Sequence, residues 1–179
     1  MAERALVVID IQNDYFPGGK MALEDPDAAA ANAAGALEQF RSRGWPVFHV
    51  RHLSVRPGST FFIPGTAGAE IHASVRPRDG EKVVEKNFPN SFRGTPLDSL
   101  LKGAGVNELV VAGMMTHMCV DASVRQAADL GYKVTLLGDA CATRAQTYAG
   151  ETVPARQVHA AFLAALNGFY AKVVSAREL

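Results

Sequence analysis

The sequence predicts an α/β fold: a single Rossmann-like, doubly wound domain spanning residues 1–179, with a six-stranded, mostly parallel sheet and helices on both faces. Short apolar runs alternate with longer segments of helical periodicity, as in repeated βαβ units. The first run, residues 5–9, has no polar alternation, which is typical of a strand buried on both faces. The length of 179 residues suits one domain with a substantial core.

Six short apolar runs are the predicted strands. They cover residues 5–9, 46–50, 82–84, 108–113, 133–138 and 171–175. Apolar residues at helical spacing predict four helices between these runs. They lie at 30–40, 96–105, from about 120 to the "LGY" segment, and 158–169. The second helix has proline at its start and glycine past its end, as helix termini favour.

The segment of about residues 51–80 has no predicted strand or helix. It is rich in glycine, proline, serine and threonine. A loop of this length in a compact domain is usually functional or is ordered by another part of the chain.

Composition and charge narrow the class of protein. Lysines plus arginines number 18 and acids number 18, so no net charge favours nucleic-acid or anionic-membrane binding. No apolar run approaches the roughly 20 residues of a membrane span, and the first residues lack the pattern of a signal peptide. Two cysteines, Cys119 and Cys141, do not make a disulfide framework. We expect reduced thiols in a cytoplasmic protein.

Polar residues that directly follow strands are the candidate site. In doubly wound sheets, ligands bind beyond the carboxyl ends of the strands, where the winding reverses. Asp10 follows the first strand, Lys86 the third, and Cys119 comes six residues after the fourth. If the reversal lies between the first and fourth strands, Asp10 and Cys119 face one crevice.

Each of these three residues allows two interpretations on its own. A thiol at a helix start can have a lowered pKa beside amides that stabilise an oxyanion, but buried, inert cysteines are common. Asp10 is either a turn residue or a buried general base. Lys86 is either a surface charge or a partner for the carboxylate.

Several familiar motifs are absent from the sequence. The five histidines show no HxH or HExxH spacing, and there is no CxxC pair, so no metal site is predicted. There is no GxGxxG after the first strand, no P-loop and no GxSxG. These absences argue against dinucleotide binding, nucleotide triphosphate binding and serine hydrolase chemistry.

Three segments, in order, resemble one known family. They are "ALVVIDIQNDYF", "VVEKNFPNSFRGTPLDSLL" and "ELVVAGMMTHMCVDASVRQAADLGYKVTLLGDACAT". They resemble the isochorismatase-like cysteine hydrolases, a group that includes nicotinamidases, N-carbamoylsarcosine amidohydrolases and ureido-acid hydrolases. The resemblance runs from about Ala5 to Ala142, with a looser match in the last helix.

The resemblance implies a catalytic triad of Asp10, Lys86 and Cys119. It also implies a cis peptide between Met114 and Met115, and an oxyanion hole formed by the Met115 and Cys119 N–H groups. The implied reaction is hydrolysis of a C–N bond in a small amide, ureide or lactam through a thioester on Cys119. Family members are usually dimers or larger, so a homo-oligomer is expected.

The sequence departs from parts of the family pattern. Nicotinamidases carry a metal-binding D-x-H pair after the second strand, whereas this chain reads "FHVRHLSVRPGSTFF". We therefore expect no metal and no cofactor. Isochorismatase proper lacks the nucleophilic cysteine, which makes its ether hydrolysis an alternative rather than the first choice. A non-enzymatic binding module or scaffold on the same fold is the other alternative.

The substrate is expected to be a small molecule in a mostly apolar slot. The resemblance and the positions of aromatic residues suggest five residues for its wall, although each could instead belong to the core. They are Tyr15, Phe62, Phe92, His117 and Met118. Cys141 is expected to be structural, because the family motif places the nucleophile at Cys119.

Overall fold

The computed structural model describes residues 3–179 and confirms the predicted α/β fold. Eight strands and four helices lie in the described range. The strands are β1 Arg4–Ile9, β2 Val47–His52, β3 Lys82–Lys86, β4 Glu108–Met114, β5 Lys133–Ala142, β6 Gln146–Tyr148, β7 Glu151–Val153 and β8 Lys172–Val174. The helices are α1 Pro26–Ser42, α2 Leu97–Gly103, α3 Asp121–Asp129 and α4 Ala155–Leu166.

Six of the strands form one parallel sheet in the order β3-β2-β1-β4-β5-β8. The chain moves outward from β1 through β2 to β3, then returns to pair β4 against the other side of β1. The winding therefore reverses between β1 and β4, which confirms the predicted reversal point and places a ligand site beyond their carboxyl ends.

Both faces of the sheet are covered, because α1 packs on one face and α2, α3 and α4 pack on the other. The side chains of β1 alternate between the two layers. Leu6 and Val8 join the core with α1, whereas Val7 and Ile9 join the core with the other helices. This explains why β1 is apolar at every position rather than at every second one.

The long segment after β2 is held in place by residues that follow β1. The Gln12 side-chain amide donates to the carbonyls of His52 and Ala69 and accepts from the His52 N–H. Asp14 Oδ2 accepts a hydrogen bond of 2.7 Å from the Phe62 N–H. Two short 3₁₀ turns, Ala67–Ala69 and Ala73–Val75, are the regular structure in this segment. The segment is therefore ordered against the end of β1 at which the candidate site lies.

The sequence analysis missed the antiparallel hairpin of β6 and β7. Its strands pair Gln146 with Val153 and Tyr148 with Glu151, and the turn between them has positive φ angles at Ala149 and Gly150. The Tyr148 side chain is 87% exposed, so the hairpin lies outside the core. Strands that bury neither face carry no apolar alternation by which a sequence could reveal them.

The carboxyl ends of β1 and β4 approach each other very closely at Gly113. Gly113 pairs with Ile9 and has a φ of +151°. A Cβ atom at Gly113 would lie 2.2 Å from the Ile9 carbonyl oxygen, a distance that only glycine avoids. This close approach brings the chain after β1 next to the chain after β4.

Within residues 3–179, every helix is too short or too polar to cross a membrane.

Candidate active site

Three strand ends bring Asp10, Lys86 and Cys119 together. Asp10 directly follows β1, Lys86 is the last residue of β3, and Cys119 lies five residues after β4 ends. All three are buried, with exposed fractions of 0%, 2% and 4%. Charged side chains are rarely buried to this degree without a partner, so the arrangement of their polar atoms decides what the site can do.

Asp10 and Lys86 form a fully buried ion pair. Asp10 Oδ2 lies 2.7 Å from Lys86 Nζ, and both side chains have no exposed surface. Apart from this contact and the neighbouring Cys119 thiol, neither carboxylate oxygen of Asp10 has a hydrogen-bond partner within residues 3–179. A carboxylate oxygen and the Cys119 Sγ lie within 4.8 Å of each other. The carboxylate thus has lone pairs available to accept a proton beside the thiol.

Cys119 is held by a π-helical turn, Thr116–Val120, that precedes α3. The sequence analysis placed Cys119 in the first turn of an ordinary helix, so the local geometry is a correction. The turn is closed by a hydrogen bond of 3.2 Å from the Val120 N–H to the Met115 carbonyl. The peptide bond between Met114 and Met115 is cis, at the position that the resemblance implied.

The environment raises the pKa of the Cys119 thiol, mainly through burial and then through the negative charge of Asp10, with Lys86 opposing both. This corrects the idea that a helix start lowers this pKa. Burial disfavours the charged form of Lys86, but the charges of Asp10 and Cys119 outweigh it and raise the lysine pKa. At neutral pH the resting site therefore holds a protonated thiol and a lysine ammonium.

His52 is a fourth member of the site, where it meets Asp10; the sequence allowed His52 and His72 to converge with an aspartate but did not place either among the predicted site residues. Lys86 Nζ lies 3.0 Å from His52 Nδ1 and 3.0 Å from the Phe88 carbonyl oxygen. His52 is the last residue of β2, so it also lies at a strand end. The predicted strand stopped two residues earlier, at Val50, and therefore hid this signal.

Burial and the ammonium of Lys86 together keep His52 neutral. Burial, followed by the charge of Lys86, lowers the His52 pKa to about 4, although Asp10 acts in the opposite direction. The ring is therefore neutral near pH 7. Because Lys86 donates to Nδ1, the ring proton lies on Nε2.

Asp10, His52 and Cys119 also have the residue types of a metal site, with one potential ligand atom of each within 4.8 Å of the others. The Lys86 ammonium, however, contacts both the Asp10 carboxylate and the His52 Nδ1. A divalent cation on these atoms would have to displace this positive charge. The donor set therefore does not fit a resident metal ion while Lys86 is in place.

A cavity of about 280 Å³ opens beside Cys119. Three of the predicted wall residues, Tyr15, Phe62 and Met118, line it, together with Met115. The long segment after β2 supplies much of the remaining wall. Its contributions are Ser54, Val55, Arg56, Ser59, Phe61 and Phe62, next to His52 at the end of β2. The cavity lining thus combines aromatic and apolar side chains with a few polar ones, and one loop supplies residues of both kinds.

The structure places the other two predicted wall residues, Phe92 and His117, outside the lining of this cavity. The Phe92 ring packs against Tyr132, with ring centroids 6.2 Å apart, because the chain turns toward α2 after Lys86. His117 Nδ1 makes a hydrogen bond of 2.6 Å with the Thr143 hydroxyl. Both side chains are occupied by contacts within the protein.

Cys141 differs from Cys119 in its surroundings. It lies within β5, where its Sγ donates a hydrogen bond of 3.3 Å to the Leu137 carbonyl. Burial raises its pKa to about 12, as burial also raises that of Cys119, so the difference between the two thiols lies in their neighbours. Cys141 does not line the cavity beside Cys119. These features agree with its expected structural role.

Comparisons with known proteins identify the class to which this fold and site belong. The model of the isochorismatase domain matches residues 4–178. An uncharacterised isochorismatase family protein of Bacillus subtilis, YddQ, is 56% identical over 169 residues, which cover 94% of each chain. A crystal structure of an isochorismatase hydrolase from Oleispira antarctica superposes with a TM-score of 0.96 at 49% identity, covering 99% of this chain and 95% of the other.

The chain therefore belongs to the isochorismatase family, whose members are hydrolases. Its relatives include enzymes that act on C–N bonds. A streptothricin hydrolase of Streptomyces noursei is 38% identical over 157 residues, covering 85% of this chain and 55% of the relative. A ureidoacrylate amidohydrolase of Variovorax paradoxus and a nicotinamidase of Escherichia coli are similar at lower identity.

Proposed function

We propose that this protein is a cysteine-dependent hydrolase of a C–N bond in a small amide, ureide or lactam, working without a metal ion or other cofactor. One observation carries the proposal. The buried Asp10 carboxylate faces a protonated thiol and is otherwise contacted by a single cation, Lys86. Such a carboxylate is suited to accept the proton of that thiol.

The mechanism begins when Asp10 takes the Cys119 proton as Sγ attacks the substrate carbonyl carbon. The N–H groups of Met115 and Cys119 bind the oxyanion of the tetrahedral intermediate. Collapse of this intermediate breaks the C–N bond, and the protonated Asp10 donates its proton to the leaving amine. A thioester on Cys119 remains.

The second half of the reaction releases the enzyme. Asp10 accepts a proton from water as the water oxygen attacks the thioester carbonyl, and the thiolate leaves and regains that proton. Throughout, Lys86 stays cationic and balances the negative charge that passes between Asp10 and Cys119. Burial of the ion pair makes this compensation strong, because no solvent screens it.

Two alternatives use the same fold. Ether hydrolysis of the isochorismatase type would give a thiol beside a buried carboxylate no covalent role. A binding module or scaffold would give neither group a chemical role. The amidohydrolases among the relatives and the juxtaposition of Asp10, Lys86 and Cys119 support the proposed reaction over both.

The decisive experiment measures the reactivity of two thiols in one chain. We expect iodoacetamide near pH 7 to alkylate Cys119 and to leave Cys141 unmodified, as read by peptide mass spectrometry. A panel of small amides and ureides, followed by ammonia release, should contain a substrate whose turnover falls by at least about 10⁴-fold in Cys119→Ala. Full turnover by Cys119→Ala would disprove the thioester mechanism.

We further propose that the protein works as a cytoplasmic homo-oligomer, as the resemblance implies. The projecting hairpin, with its exposed Tyr148 and Val153, supplies apolar surface outside the core that agrees with self-association. Light scattering after size exclusion at micromolar concentration tests the oligomeric state. A single species of 19.1 kDa would contradict it.

A further inference from the structure

Three polar residues that line the cavity come from one short stretch of the loop after β2. Ser54, Arg56 and Ser59 all line the cavity, and Arg56 is exposed there. The hydrogen bonds of the stretch within residues 3–179 are made by its backbone. The Ser54 N–H donates to Phe62, and the Ser59 N–H donates to the Arg56 carbonyl. The hydroxyls of Ser54 and Ser59 and the guanidinium of Arg56 are thus available to bind a ligand in the cavity.

Arg56 differs from most other arginines of the chain because it has no internal partner. Five arginines pair with carboxylates. They are Arg4, Arg41, Arg51, Arg78 and Arg125. Arg43 and Arg93 lie over aromatic rings. Within the described residues no carboxylate lies within ion-pair distance of Arg56, and no carboxylate lines its cavity.

The charge balance of the cavity follows from its other members. Asp10 and Lys86 neutralise each other beneath it. His52 is neutral and directs its Nε2–H away from the Lys86 contact. Arg56 is therefore the one uncompensated formal charge on the cavity wall among residues 3–179.

From this arrangement we propose that the substrate is a small amide or ureide bearing a carboxylate, which binds Arg56, Ser54 and Ser59 while the scissile carbonyl faces Cys119. This inference rests on the proposed function and specifies its substrate class. A guanidinium binds a planar carboxylate with two parallel hydrogen bonds, and serine hydroxyls add further donors. A cavity of about 280 Å³ restricts such a substrate to a short acid.

The test compares two alkylating reagents that differ in one group. Iodoacetamide is neutral, whereas iodoacetate carries a carboxylate of nearly the same size. The measured quantity is the ratio of the Cys119 alkylation rate with iodoacetate to that with iodoacetamide, at one pH and low salt. We expect Arg56→Gln to lower this ratio about tenfold.

Two further variants separate recognition from general electrostatics. Arg56→Lys keeps the charge but loses the paired donors, so the ratio should fall to an intermediate value. Arg156→Gln removes an exposed arginine that lines a different cavity, and it changes the net charge by the same amount. The ratio of alkylation rates in Arg156→Gln should match that of the protein without substitutions. An unchanged ratio in Arg56→Gln, or an equal drop in Arg156→Gln, would overturn the proposal.

A binding measurement makes the proposal independent of thiol reactivity. Calorimetric titration of Cys119→Ala with succinamate and with succinamide should show tighter binding of the carboxylate by about tenfold, and Arg56→Gln should abolish that preference. If Cys119 reacts with neither reagent, the proposed function fails, and this titration still decides the role of Arg56. Equal binding of the two probes to Cys119→Ala contradicts it.

Discussion

Two largely buried carboxylates, Glu81 and Asp10, lie at opposite ends of the same sheet and have very different hydrogen-bonding surroundings. Glu81 directly precedes β3, and Asp10 directly follows β1. Both pair with a cation, and both side chains are at least mostly buried. The difference between them lies in how many aligned hydrogen bonds each carboxylate accepts.

Glu81 is saturated with donors. Its two oxygens accept two hydrogen bonds from the Arg41 guanidinium, at 2.7 and 2.9 Å. The same carboxylate contacts His49 Nε2 at 2.8 Å and accepts from the Arg78 N–H at 2.9 Å. Burial alone would raise its pKa, but these donors outweigh burial and lower it to about 2. A carboxylate held in this way joins α1, β2 and the loop before β3, and it stays ionised at neutral pH.

Asp10 contacts only Lys86 and the Cys119 thiol, and it accepts no hydrogen bond from a backbone N–H or a guanidinium within the described residues. It also adopts a left-handed backbone conformation, with a φ of 51°, which is uncommon for a residue other than glycine. Incomplete satisfaction of a buried group weakens a fold, and proteins retain it at sites of chemistry. The comparison teaches that the number of aligned donors, rather than burial or charge pairing, separates the proposed base from a structural carboxylate.

The largest expected effect comes from removing the proposed base. Asp10→Asn should slow iodoacetamide alkylation of Cys119, and turnover of any substrate found, by about 10²–10⁴-fold, because no group then accepts the thiol proton. The rate of modification at pH 7, by mass spectrometry, measures this effect.

Asp10→Asn also leaves the Lys86 charge unpaired, which destabilises the fold by about 3–5 kcal/mol. The double variant Asp10→Asn/Lys86→Met removes both charges and serves as the control. It should recover much of the stability without recovering reactivity. Fast alkylation of either folded variant would show that Asp10 is not the base.

The second effect falls on stability instead of reactivity. Glu81→Gln should lower the free energy of unfolding by about 2–3 kcal/mol, since it weakens the charged hydrogen bonds of Arg41. The alkylation rate of Cys119 should stay within about twofold. Urea unfolding at pH 7 gives the first quantity. A loss of reactivity comparable to that of Asp10→Asn would erase the distinction between the two carboxylates.

The stability that Glu81 contributes should also depend on pH in a definite direction. The pKa of Glu81 is lowered in the folded protein from 4.5 to about 2. Its contribution to stability is therefore complete above pH 4.5 and is lost as pH falls from 4.5 toward 2. Glu81→Gln should flatten the pH dependence of unfolding within this window.

The smallest effect concerns His52. Its pKa is about 4 in the folded state and 6.5 ordinarily, so the unfolded chain binds a proton more readily between these values. Stability should therefore rise with pH from 4 to 6.5, and His52→Asn should remove on the order of 1–2 kcal/mol of that rise. The Asn carbonyl can still accept from Lys86. Urea unfolding at pH 4.5 and pH 7 measures the difference, and an identical rise in the variant would contradict the assigned neutral state.

Much of the fold and the core of the site followed from the sequence, for a physical reason. Strands buried on both faces are continuously apolar, so their ends are visible, and a parallel sheet gathers those ends at one edge. This reasoning predicted from the sequence alone that Asp10 and Lys86 lie at the same edge of the sheet. Their contact, and the protonated state of Cys119, depend on burial and distance, which no pattern of residue types encodes.

The rest of the site depends on where side chains point. His52 was not placed among the predicted site residues because β2 ends in polar residues, which the predicted strand left out. Phe92 was included because it follows the Lys86 motif, but the chain turns toward α2 at that point. The loop containing Arg56 has no periodicity, so its contribution to the cavity required the hydrogen bonds of Gln12 and Asp14 that hold it.

Gly113 has a consequence for how relatives of this protein should be judged. It touches neither thiol nor base, yet it allows β1 and β4 to meet closely enough for the residues beyond them to share one crevice. A chain that keeps Asp10, Lys86 and Cys119 but carries a side chain at position 113 would satisfy every motif search, yet the ends of β1 and β4 would have to shift apart to make room for its Cβ atom. The ability to carry out this reaction thus depends partly on a residue that has no reactive side chain.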